Sequence, residues 1–324
     1  MSTICCQRGP RGPEGPQGTQ GPQGSTSFLN VVADGRLTVA SGQPVPNNQD
    51  LPAQGTLFYT PYTGAFIALW DGAQWIIVPF TEQSIVFAGG NAIVANTNYD
   101  IFGFLSAGTL ALDPPYAWAS SGAGTSTRVA PLSRQDGVLV KNADPTRRYL
   151  GTIRASANNQ TSDSLVQRFV WNNYNRVTRP VYMFYNVHTW TYSAPGSNVW
   201  READDSNNPS TPRIIEQVVG VVDDAVHIQL AVLSALNSGA DAAVGIGMDS
   251  LTSPDAQCSN TYSSIQTFVN LYAFLEQQPS IGYHFYSWLE QSPANASPTF
   301  RGFDGASSFP ASDQRSALSG MVTS

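Results

Sequence analysis

The chain has 324 residues, enough for two or three modest domains. Apolar residues make up 41% and charged residues only 12%, about half of what a soluble globular domain carries. This balance supports packed cores and argues against disorder, which needs low hydrophobicity and high charge. The surface must therefore be covered by Ser, Thr, Asn, Gln and Gly, as on extracellular β-rich proteins.

Net charge is −7 and Lys141 is the one lysine among 16 basic residues. From Arg128 to Arg179 there are nine basic residues against three acidic, whereas from Pro180 to the end there are four against thirteen. A basic middle beside an acidic end suits either nucleic acid or two modules that attract each other. No lysine-rich face or tail accompanies it, so mutual attraction is expected and a nucleic-acid partner is not. No run of about 18 apolar residues is present, so no membrane span is expected. No basic-then-apolar secretion signal precedes the glycines either.

In chain order, the first element is a repeat. Gly9, Gly12, Gly15, Gly18, Gly21 and Gly24 keep a strict period of three, with Pro10, Pro13, Pro16 and Pro22 directly after four of them. Three chains wound in polyproline II leave no room for a side chain at the axis, so every third residue must be glycine. Proline pre-sets φ for that winding. A flexible linker would not hold the period, so a short collagen-like stalk in a parallel homotrimer is expected. Its five triplets would span about 45–50 Å and be marginal alone, so domains downstream must hold the register. Cys5 and Cys6 sit just before the first triplet. Two readings stand for them, interchain disulfides that tie the three strands, or reduced thiols in a reducing cytosol.

After a Ser/Thr hinge at residues 25–27 the chain reads as β-structure. Ala65 to Trp70 and Gln74 to Val78 flank Asp71-Gly72, a strong hairpin signal. From about Ser84 a second β module follows, with Asn98 to Phe104, Thr109 to Leu112, an Asp136-Gly137 turn and Arg148 to Arg154. Next, Ser162 or Asp163 is placed to cap a helix in which Val166, Val170 and Tyr174 recur at i, i+4 and i+8, beside Leu165 and Phe169. One short helix ending before Arg179-Pro180 is expected.

Several words in this region are familiar. Leu57-Phe-Tyr-Thr-Pro-Tyr-Thr-Gly, Ile67-Ala-Leu-Trp-Asp-Gly with Trp75, Asp136-Gly-Val-Leu-Val-Lys, Asp144-Pro-Thr-Arg-Arg-Tyr-Leu-Gly-Thr-Ile-Arg and Arg168-Phe-Val-Trp-Asn-Asn-Tyr-Asn-Arg-Val occur in that order. Together they resemble a module recurrent in structural proteins of tailed bacteriophages and prophages, over about residues 35–180. The resemblance implies a virion fibre or spike protein, assembled in the bacterial host cytoplasm and displayed on the particle surface. It implies no catalytic residue. A stalk of this kind suggests attachment to other virion proteins through the N-terminal end, with the distal part reaching a host-surface glycan. A capsid decoration or head-spike protein is the nearest alternative. A polysaccharide-degrading tail spike would call for repeats of about 20–25 residues, and no such period is found.

The last segment, from about Val181, holds some eight strand-like runs. Tyr182, Phe184, Trp190 and Tyr192 are expected on one face. Val226, Ile228, Leu230 and Val232 alternate with polar neighbours as in a half-buried strand. Gly282 to Glu290 is aromatic on both faces, as in a central strand. These runs predict a jelly-roll-like β-sandwich, and a stalk before such a head looks like the layout of complement and tumour-necrosis-factor-like trimers.

The expected fold is therefore all-β and homotrimeric, in four segments: an anchor and collagen-like stalk at 1–27, a β-hairpin module at 28–83, a β module with one short helix at 84–180, and the sandwich at 181–324. His188, His227 and His284 lack metal-ligand spacing and read as packing or surface residues. Cys258 stands alone, and Asp204-Asp205 and Asp223-Asp224 read as solvated loop charge. Aromatics such as Trp200 suit either a sugar platform or a core. No catalytic, metal or cofactor residue is assigned.

Overall fold

The computed structural model describes residues 30–46, 50–185, 187, 189–192, 198–204, 213–235, 241–261, 268–292, 297–302 and 316–324. The architecture is all-β, as expected, and among the described residues no α-helix occurs.

The first antiparallel sheet joins Gly35–Thr38, Thr56–Pro61 and Gln83–Val86. The Asp71-Gly72 signal does make a hairpin, pairing Phe66–Trp70 with Trp75–Pro79. The Asp71 carboxylate closes its turn by accepting the amides of Ala73 at 2.7 Å and Gln74 at 2.8 Å, the short-range bonding that makes Asp a turn residue. Asp136-Gly137 makes a two-residue turn in which both residues have positive φ, 49° and 87°. That matches the right-handed twist of the flanking strands.

The spine of the N-terminal half is the 14-residue strand Asp144–Ala157. It pairs with Asn98–Ser106, Val138–Lys141, Gln160–Asp163 and Val170–Asn172. Leu37, Leu57, Tyr59 and Ile85 from the first sheet pack with Ile101, Leu150 and Ile153 around this spine in one hydrophobic cluster. Gly151 is required there, because a Cβ would stand 2.1 Å from the carbonyl oxygen of Trp171.

The helix expected after Ser162 or Asp163 and ending before Arg179-Pro180 does not form. The segment is instead Gln160–Asp163, Gln167–Arg168 and Val170–Asn172, three short strands with a turn between the first two. In that turn the Ser164 amide donates to the Gln167 carbonyl, and the Gln167 amide donates back to Ser164 Oγ. Phe169, Val170 and Trp171 are all buried. Burial of consecutive residues suits a strand covered on both faces, whereas a helix would bury one stripe. The i, i+4 coincidence of Val166 and Val170 yielded to that demand.

The C-terminal half is two sheets packed face to face. One holds Thr178–Phe184, Ala317–Thr323, Val226–Ala235, Phe268–Gln277, Thr299–Arg301 and Thr189–Thr191. The other holds Ile214–Val219, Gly282–Ser292, Asp241–Met248, Ala256–Thr261 and Val199–Glu202. Ile228, Leu230 and Leu318 of the first meet Val244, Tyr286 and Trp288 of the second in the core. Gly282–Ser292 is central, flanked by Ile214–Val219 and Asp241–Met248. The alternation of Val226, Ile228, Leu230 and Val232 also holds, with all four buried. Tyr182 and Phe184 depart from expectation. The inward face of their strand is Val181, Met183 and Tyr185, so those two rings point outward, while Trp190 and Tyr192 are buried from a separate strand. A one-residue change of phase moves every side chain to the other face.

The halves share hydrogen bonds as well as apolar contact. Gln167–Arg168 pairs in parallel with Ile214–Val219, and one sheet thereby runs from Leu51–Gln54 through to Ala256–Thr261. Phe102, Tyr149, Trp171 and Val218 form a small apolar cluster at this seam.

Candidate functional site

Gly9, Gly12, Gly15, Gly18, Gly21, Gly24, Cys5, Cys6, His188 and Asp205 lie outside the described residues. Among the described residues no group of three His, Cys, Asp or Glu could hold a metal ion.

The basic middle segment is an internal frame. Arg148, Arg154, Arg168 and Arg179 are buried, and Arg128 nearly so. Asp163, itself buried, accepts Arg168 at 2.7 Å and Arg179 at 3.1 Å. The second amino groups of those arginines reach the carbonyls of Pro180 and Pro46. Arg148 donates to the Val32 and Ala68 carbonyls. Arg128 grips both oxygens of Asp100, at 2.6 and 3.0 Å, and reaches the Gly220 carbonyl of the other half at 2.9 Å. A guanidinium offers five donors in a rigid fork, so one side chain can tie several strands. Lysine could not, and the near-absence of lysine was the available clue. Arg176 adds the expected attraction between modules, donating to Asp223 at 2.7 Å and bonding Asp224.

His284 was expected to be a packing or surface residue, and its surroundings are more specific. Its Nδ1 lies 2.7 Å from Asp249 Oδ2, and its Nε2 lies 2.8 Å from the Ser280 carbonyl and 3.4 Å from Ser280 Oγ. The row acid–imidazole–hydroxyl has the order of a nucleophile-activating trio. The geometry does not supply a base, however. A base needs its Nε2 lone pair aimed at the hydroxyl, and here the nearer group at Nε2 is a carbonyl, which can only accept. The buried ring thus lies between Asp249 and the Ser280 carbonyl and ties the 249–250 turn to the central strand. Asp249 completes the lock, since its second oxygen accepts the Phe285 amide at 3.1 Å.

Asp204 is not the solvated loop residue expected. It is buried, accepts the Tyr185 hydroxyl, and donates its amide to Glu290 Oε1 at 3.2 Å. Glu290 is fully buried and also receives Arg201 at 2.5 and 2.8 Å and Trp190 Nε1 at 2.6 Å. Burial nonetheless pushes its carboxyl up to about 7, against the pull of Arg201 and the other donors. Trp200 lies half-buried, its ring about where a side chain on Gly245 would have to go.

Among the hollows lined by the described residues, two stand out. One, of about 420 Å³, is lined by the 118–123 loop, Arg154 and Tyr283, with the Arg154 guanidinium 3.6 Å from the Tyr283 ring centroid. The larger, of about 860 Å³, is a groove on the outer face of the C-terminal sheet. Its walls are Tyr182 and Phe274 and its floor is Ser319 and Gln229. The register sets these four in one row across the sheet, because Tyr182 pairs with Ser319, Ser319 with Gln229, and Gln229 with Phe274. Phe184, Ala317, Ala231 and Tyr272 form the next row.

No family model matches the chain, and no curated protein does. Among solved structures, similarity is weak. The Eiger tumour necrosis factor of S. frugiperda is 8% identical, aligned over 41% of this chain and 97% of its own, at a TM-score of 0.23. A structure of the infectious bursal disease virus Gx strain is 7% identical over 85% of this chain and 68% of its own, at 0.24. The Cry8Ea1 delta-endotoxin of Bacillus thuringiensis is 8% identical over 90% of this chain and 51% of its own, at 0.21. At such scores these likenesses carry no argument about function.

Proposed function

We propose that the chain is the structural subunit of a homotrimeric fibre or spike on a virion surface. A short collagen-like stalk and a jelly-roll-like head would build it, the stalk lying at the anchored N-terminal end. The observation that carries this reading is the strict glycine period from Gly9 to Gly24, which has a steric meaning only when three chains share an axis. An all-β body with few charges and braced seams suits a protein whose task is to persist and to bind. Three weak sites on one stalk would act together by avidity, so a host-surface glycan need be held only weakly by each head. The test is twofold. Purified full-length chain should sediment as a trimer, and labelled antibody should decorate an appendage on intact particles. Label on the head rather than the tail would favour the capsid-decoration alternative. A monomer in solution would overturn the proposal.

A further inference from the structure

We propose that the outer face of the C-terminal sheet, centred on Phe274, is the surface by which each head packs against the other two copies of this chain. The inference rests on the trimer reading above and adds the location of the contact.

This face is unusual for one left in water. Phe274 is 67% exposed, Tyr272 50% and Met321 47%, and all three lie on it, on two strands that flank Val226–Ala235. They leave roughly 300 Å² of apolar side chain uncovered, comparable with the largest patch found on a whole monomer. Tyr182 and Phe184 extend the patch across the sheet, their rings set edge to face. A specific interface buries about 800 Å² per partner, so these residues suffice for its apolar centre.

Some of the polar groups on the face are paired with one another. Gln229 Nε2 donates to Ser319 Oγ at 3.1 Å, and His227 faces Glu276 at 3.8 Å. His227 and Glu276 are also the only ionisable side chains in the two rows and the adjacent Pro180–Met321 row, apart from tyrosine. A centre poor in charge, rich in aromatic and Met side chains, and floored by Gln229 bonded to Ser319 costs less to desolvate than a charged one. A sugar would need unspent hydrogen-bonding groups beside the rings, and the floor of this groove offers few. The occupant is therefore another copy of the chain, which the glycine period independently calls for in threefold number. Five triplets are too few to hold three chains alone, so the heads must contribute contact.

The test uses the full chain. Wild type, Phe274→Asp and a control at the exposed Val129 of the other half, Val129→Asp, are compared by sedimentation velocity over a concentration series. Phe274→Asp should raise the trimer's dissociation midpoint about a hundredfold, as loss of a central aromatic does. Val129→Asp should leave it unchanged. Hydroxyl-radical footprinting of the wild type avoids any question of folding. Tyr272, Phe274 and Met321 should be several-fold less reactive than Tyr62 and Phe66, whose exposures of 43% and 49% are similar. Equal reactivity, or a Phe274→Asp trimer as tight as wild type, overturns the inference while leaving the trimer reading standing. Loss of host-surface binding with an intact trimer overturns it in favour of a ligand groove. A monomeric wild type removes both.

Discussion

Glu290 should make the C-terminal sandwich less stable as pH rises from about 4.5 to 7, and replacing it by Gln should abolish that slope. The reasoning starts from burial. The carboxyl is fully enclosed, so ionising it exchanges water for four donors, two from Arg201 and one each from Trp190 and Asp204. Those donors do not fully replace water, and the folded-state value rises from 4.5 to about 7. Between these values the unfolded chain has released the proton that the folded chain still holds. Stability is therefore fully present below about 4.5 and declines until the folded form also ionises. A difference of about 2.5 pH units, at about 1.4 kcal/mol each, is worth about 3 kcal/mol. Other carboxyls titrate in the same range, so the informative quantity is wild type minus Glu290→Gln. Urea unfolding at pH 4.5, 5.5, 6.5 and 7.5, followed by tryptophan fluorescence, measures it. The wild type's advantage over the variant should shrink by about 3 kcal/mol across the series. If the advantage is constant, or grows with pH, Arg201 holds Glu290 ionised throughout and burial does not dominate.

Arg128→Met should destabilise the chain by about 3–5 kcal/mol, because it leaves the buried Asp100 without its cation; thermal unfolding of the folded protein checks this. Gly151→Ala places a Cβ 2.1 Å from the Trp171 carbonyl across a paired strand, so a loss of about 3 kcal/mol is expected, visible as reduced soluble yield and lower melting temperature. If the proposed collagen-like stalk forms, Gly15→Ala should lower the melting temperature of the trimer and leave the near-ultraviolet spectrum of the β-structure unchanged, since a triple helix has no room for the methyl group at its axis.

Local chemistry made part of this molecule legible. Asp71-Gly72 and Asp136-Gly137 turn the chain between two apolar runs, because their bonds and φ values are satisfied within a few residues. The alternation in Val226–Val232 and the double-faced Gly282–Glu290 marked a half-buried and a central strand for the same reason, burial repeating with the strand's own period. Residues 162–174 were misread because a few apolar residues fit two periods, and the choice between them belongs to the sheet covering Phe169 to Trp171. The arginine frame was invisible as structure. Its residues are scattered from Arg128 to Arg179, and their partners, Asp100, Gly220 and Pro46, lie up to 133 positions away.

The amino-acid sequence alone determined the composition class, the β character, the turns and the threefold glycine period, all of which depend on neighbours or on a repeat. Only the tertiary structure decided that Tyr182 and Phe184 face outward, that His284 lies between two acceptors, and that Phe274 stands in the same row as Tyr182. The physical reason is register. Which side chains share a face depends on how distant strands align, and no short stretch of chain carries that information.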